Sequence, residues 1–120
     1  MAKVLLIGLE PASADQITQF LAGAGHEVET KPSGFSTPDI EGADVLFAGG
    51  MPSQYMPLLQ RVRTVLPSPA FVVVTKLPET AEWLDALDAG ATDYCSLPLS
   101  TRQLQWIFES ALSKYAVAAV

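Results

Sequence analysis

The sequence predicts an α/β domain with a parallel sheet covered by helices on both faces. Short apolar runs at Val4-Leu5-Leu6-Ile7, Val45-Leu46-Phe47-Ala48 and Phe71-Val72-Val73-Val74 are bounded by turn residues. Runs of that length and continuity fit strands buried on both sides. Segments with apolar residues at helical spacing separate them, so strand and helix alternate five times. The composition agrees: of 120 residues, 49% are hydrophobic and 17% charged, which excludes disorder and suffices for one sizeable core.

Lys3–Ile7 is the first strand, ended by Gly8. Ser13 and Gln16 match a capping box, and Ile17, Phe20, Leu21 and Ala24 mark one helical face closed by Gly25. His26–Thr30 alternates and reads as a second strand with one solvated face. Pro32, Gly34 and Pro38 break residues 31–42, so the second helix is missing there or reduced to a one-turn stub. The strand at 43–48 runs into Gly49, Gly50, Met51 and Pro52. Pro57 then suits a helix start, with Leu58, Leu59, Val62, Val65 and Leu66 inward, and Pro67 and Pro69 stop it.

Phe71–Thr75 is the fourth strand. Pro78 and Glu79 open an acidic helix that buries Leu84 and Leu87 and ends at Gly90. Thr92–Ser96 is a short fifth strand. Ser100 and Gln103 form a second capping box, and the last helix turns Leu104, Phe108, Ala111 and Leu112 inward. A three-layer, flavodoxin-like arrangement with strand order 2-1-3-4-5 is one of two common solutions for this pattern. Residues 1–115 form the domain, and 116–120 read as a helix extension or the start of a connection to an output domain.

The net charge of −6 argues against nucleic acid as a direct partner. No apolar run reaches the length of a membrane span, and Val4–Ile7 is too short for the apolar core of a signal peptide. A single Cys95 permits no internal disulfide, so the expected compartment is cytoplasmic.

Five motifs in order then resemble the receiver domain of two-component response regulators, the CheY-like family. They are the strand Val4–Ile7 running to Glu10-Pro11, Met51-Pro52, Thr75, the segment Ala89-Gly90-Ala91-Thr92-Asp93-Tyr94, and Pro98. The resemblance covers nearly the whole chain and implies a bacterial phosphorelay signalling module. In that family an aspartate accepts a phosphoryl group, an acidic pair holds Mg²⁺, and a lysine and a Ser/Thr contact the phosphoryl oxygens. A carboxylate can attack a phosphate only where the ion neutralises their repulsion.

Carried over residue by residue, that chemistry is missing. The acceptor position is Ala48, the acidic pair is Gly8 and Leu9, and the lysine is Leu97; only Thr75 and Tyr94 remain of the switch residues. Glu10 is a weak candidate for Mg²⁺, since one carboxylate without a phosphate makes a poor site. Asp44 lies at the far end of its strand, roughly 13 Å away at ~3.3 Å per residue, and cannot substitute. Lys76 reads as a solvated lysine. The expectation is a pseudo-receiver: not an enzyme, with Mg²⁺ binding lost, no cofactor, and an apolar plug where the site would be.

Function would then rest on protein contacts. The resemblance places the signalling surface on the family's fourth helix, fifth strand and fifth helix. In this chain that face would carry Trp83, Tyr94, Trp106 and Ile107, as an interface for a protein partner or a second copy. Trp106 sits roughly 200° around its helix from both Leu104 and Phe108, away from the core. Tyr94 is expected to hold one rotamer, His26 to lie at the surface, and Cys95 to act as a small core hydrophobe. The acidic face Glu79, Glu82, Asp85, Asp88 reads as solvated, with the ability to select a basic partner. Two alternatives stand beside this reading: an active receiver using Glu10 and a non-standard acceptor, and a flavodoxin-like binder of a small ligand between Gly8 and Gly50.

Overall fold

The computed structural model describes residues 2–31, 42–65, 70–76, 79–96 and 100–119, the side chains of 31, 65 and 113–119 excepted. Five strands, β1 (Lys3–Ile7), β2 (Glu27–Lys31), β3 (Val45–Ala48), β4 (Ala70–Thr75) and β5 (Asp93–Ser96), form one parallel sheet in the order β2-β1-β3-β4-β5. Four helices are described: α1 (Pro11–Gly23), α2 (Pro52–Val65), α3 (Thr80–Asp88) and α4 (Thr101–Ala119). The expected order 2-1-3-4-5 holds. The reduced second helix expected within 31–42, the stops at Pro67 and Pro69, and Leu97 and Pro98 lie outside the described residues.

Strand alternation divides the core in two. Val4, Leu6, Val45, Phe47, Val72 and Val74 face one way, onto Ile17 and Leu21 of α1 and Leu104, Ile107, Phe108 and Ala111 of α4. Leu5, Ile7, Leu46, Ala48, Phe71 and Val73 face the other, onto Tyr55, Leu59 and Val62 of α2 and Ala86 of α3. Both faces of the three central strands are therefore dry, which is why their sequences run continuously apolar. Right-handed crossovers leaving β1 in one direction and β3 in the other put α1 and α2 on opposite faces.

Several local details differ from expectation. Helix α1 starts at Pro11 with Glu10 as N-cap and no side-chain cap, because proline's fixed φ already suits the first helical position. Ser13 therefore lies inside the helix and forms no capping box, and Ala24 is exposed. Helix α2 starts at Pro52, not Pro57; Met51 is its N-cap, and the Gln54 side chain accepts the Met51 N–H at 2.8 Å. Pro57 is an exposed interior residue, and the carbonyl it leaves without an N–H partner belongs to exposed Ser53. The Ser100–Gln103 box forms as expected, through Ser100 N–H to Gln103 Oε1 at 2.9 Å and Gln103 N–H to Ser100 Oγ at 3.1 Å.

In α3 the inward residue is Ala86, while Leu84 is 54% exposed and Leu87 half-buried. The helix ends in paired bonds from Gly90 N–H to Leu87 O and from Ala91 N–H to Ala86 O, with Gly90 at φ +110°. His26 is not a free surface residue. Its Nδ1 accepts the Ala2 N–H at 3.0 Å and its ring lies 4.7 Å from that of Phe108, tying the start of β1 to the start of β2 and to α4.

Candidate functional site

The carboxyl ends of β1, β3 and β4 meet where the crossovers diverge, and an open cavity of about 260 Å³ lies there. Gly8, Leu9, Glu10, Gly49, Gly50 and Thr75 are among its lining residues, with Met51, Gln54, Val74 and Lys76. The loops after β1 and β3 approach closely. A Cβ on Gly49 would stand 2.6 Å from Leu9 Cδ2, 3.1 Å from Gly8 O and 3.4 Å from Val74 O, so a side chain there would displace Leu9 and crowd the Gly8 carbonyl. The Leu9 side chain thus lies against Gly49 and continues into the core beneath α1 and α4.

Ala48, the acceptor position by the sequence resemblance, is completely buried among Tyr55, Leu59 and the other residues of the second core half. At the rim Lys76 Nζ lies 2.5 Å from Glu10 Oε2. Lys76 is therefore not simply solvated, as the sequence suggested; it is the counter-ion of Glu10. Both side chains are well exposed, so the pair contributes under about 1 kcal/mol, but it does occupy the Glu10 carboxylate.

The Mg²⁺ that the resemblance implies does not fit these residues. The ion needs carboxylates or phosphate oxygens. The acidic-pair positions are Gly8 and an apolar Leu9, and Glu10, the single carboxylate among the described lining residues, is held by an ammonium group. No step can be derived through a metal at this cavity. Thr75 lines it as expected, and Leu97 lies outside the described residues.

The expected interface residues divide. Trp83 is 42% and Trp106 66% exposed, but Ile107 is only 6% exposed and belongs to the core between α4 and the sheet. Ile107 follows Leu104 by three positions and so shares its inward face, a spacing that outweighs its place beside Trp106. Trp83 and Tyr94 line one cleft of about 200 Å³ with Glu79 and Thr80; Trp106 and Ile107 are not among its lining residues.

Behind that cleft sits a residue the sequence did not single out. Tyr55 of α2 is 1% exposed, and neither its hydroxyl nor that of Tyr94 has a hydrogen-bond partner. Burial pushes the Tyr55 phenol up to about 12; nearby Tyr94, Glu82 and Asp85 add to the shift. The two phenols lie close enough for a weak polar contact that adds to the Tyr55 shift, but no hydrogen bond of ordinary length and angle joins them. The signal for Tyr55 was Pro52 followed by Gln54, which starts α2 early and brings position 55 onto the face of Leu59 and Val62. Cys95 packs against the core, and burial followed by Asp93 pushes its thiol up to about 12, in line with a structural role.

No protein-family model and no curated protein matches this chain. Solved structures do. A response regulator receiver domain from Clostridium thermocellum superposes with a TM-score of 0.85 at 23% identity, covering 98% of this chain and 99% of that one. A CheY-like receiver domain protein from Methanospirillum hungatei JF-1 gives 0.84 at 22%, covering 98% of each. NtrX from Brucella abortus, in complex with ADP, gives 0.84 at 20% over 98% of this chain, which spans 28% of the NtrX chain. The chain has the α/β fold of response regulator receiver domains.

Proposed function

We propose that this chain is a signalling module of the receiver type that takes up no phosphoryl group on aspartate and acts through protein contacts. One observation carries the reading: the residue at the acceptor position is a fully buried alanine, and the surroundings have changed with it. Leu9 lies over Gly49 where an acidic pair would hold the ion, and Glu10 is paired with Lys76. These changes are mutually consistent. A lone carboxylate or lysine facing an apolar cavity would carry an uncompensated desolvation cost, and neither is present among the described lining residues without its partner. Such a domain is not an enzyme and works in the cytoplasm. No described helix is long and apolar enough to cross a membrane.

The contact surface in this reading comprises α3, β5 and α4, with Trp83 and Trp106 as anchors and Tyr94 behind them. Large exposed aromatics of this kind dominate binding energy where a partner covers them. A Mg²⁺ titration followed at the backbone amides of Gly8, Gly49 and Gly50 tests the lost chemistry. No saturable shift is expected at those glycines, and a saturable shift there would favour the active-receiver alternative.

A further inference from the structure

The cleft between the amino end of α3 and strand β5 combines two aromatic side chains, Trp83 and Tyr94, with the Glu79 carboxylate and the Thr80 side chain. The Tyr94 hydroxyl is buried on the side away from solvent, so Tyr94 offers the cleft its ring rather than a hydrogen-bonding group. Trp83 is exposed enough to present its indole surface. Glu79 makes no capping bond to its helix, which leaves its carboxylate available to the cleft.

The sign of the surrounding charge is set by α3. Glu79, Glu82, Asp85 and Asp88 lie at or along this helix, and Thr80–Asp88 contains no lysine or arginine. Glu82 and Asp85 reach far enough to raise the Tyr55 phenol inside the core. The amino end of a helix carries roughly half a positive charge, and the carboxylates of Glu79 and Glu82 outweigh it. An anion is therefore repelled here. A neutral apolar group would contact the rings and leave the carboxylate unused. A cation gains from both, through the negative faces of the rings and through the carboxylate.

We propose that this cleft receives an arginine side chain of a protein partner. The inference rests on the protein-contact reading of this face and adds the chemistry of what docks there. A planar guanidinium stacks on indole and pairs with a carboxylate through two parallel N–H donors, which an ammonium cannot do.

The test uses the full chain and three capped hexapeptides that differ at one central position: arginine, lysine or citrulline, the last being arginine's neutral counterpart. The indole N–H resonance of Trp83 should shift saturably with the arginine peptide, several-fold more weakly with lysine and negligibly with citrulline. The Trp106 indole should not respond. Trp83→Ala, followed at the Tyr94 backbone amide because it lacks the indole, and Glu79→Gln, both at exposed positions, should each weaken the arginine peptide about fivefold. Equal binding of the citrulline peptide, an equal response of Trp106, or no loss on Glu79→Gln would overturn the proposal. Failure here with silent glycines in the Mg²⁺ titration removes only the arginine site, whereas Mg²⁺ binding at the glycines overturns the underlying reading.

Discussion

Tyr55 and Tyr94 place two hydroxyls in the core without hydrogen-bond partners, and an unmade bond on a buried group costs about 1–3 kcal/mol. Tyr55→Phe keeps the ring and removes the unpaired oxygen. Equilibrium urea unfolding should therefore show the variant as stable as the parent, or more stable by about 1 kcal/mol. The same residue sets a pH dependence. Its phenol titrates near 10 when unfolded and at about 12 in the fold, so the unfolded chain releases the proton first. The Tyr55 contribution is thus complete below pH 10 and is lost as pH rises toward 12, and Cys95, also raised to about 12, acts in the same direction from near pH 9. Tyr55→Phe should flatten the alkaline loss in a plot of stability against pH; an unchanged slope would contradict this account of Tyr55. Neither phenol was legible as a buried polar group in the sequence, because Tyr55 precedes the expected helix start at Pro57 and Tyr94 read as part of an interaction surface.

Two sequence patterns of the same type, Ser13 with Gln16 and Ser100 with Gln103, have different outcomes at the scale of the helix. Only the second is a box, because Pro11 starts α1 before Ser13 can cap it, whereas α4 starts at Thr101 and leaves Ser100 at the cap position. Ser100→Ala should cost about 1 kcal/mol in chemical denaturation, and Ser13→Ala should stay within about 0.5 kcal/mol. Equal effects would contradict the assigned helix starts. The same competition explains Pro57: a proline five residues after another cannot tell a reader which one begins the helix. The strands were legible because burial on both faces leaves a continuous apolar run. Helix faces were less so, since α3 turns a small Ala86 inward and leaves the larger Leu84 exposed, which hydrophobicity alone does not predict.

For the whole molecule, the strand order and the place of the cavity could both be read from spacing, because the residues at the carboxyl ends of β1, β3 and β4 are fixed once the strands are. The pairing of Lys76 with Glu10 could not, since it joins residues 66 positions apart through loop geometry. The inward turn of Ile107, by contrast, was legible in its three-residue spacing from Leu104 but was outweighed in the reading by its place beside Trp106.

The molecule that results has an acidic surface, two exposed tryptophans and an apolar cavity at the sheet's carboxyl edge. In that cavity Leu9 stands against Gly49, behind a rim pair, Glu10 with Lys76, that holds the single described carboxylate. In the reading proposed above, such a sheet edge takes up no phosphoryl group, since among its described lining residues the one carboxylate, Glu10, is engaged by Lys76. Incubation of the chain with Mg²⁺ and acetyl phosphate, followed by intact mass spectrometry, tests that conclusion directly. The mass should remain that of the unmodified chain; a gain of one phosphoryl group, dependent on Mg²⁺, would contradict it.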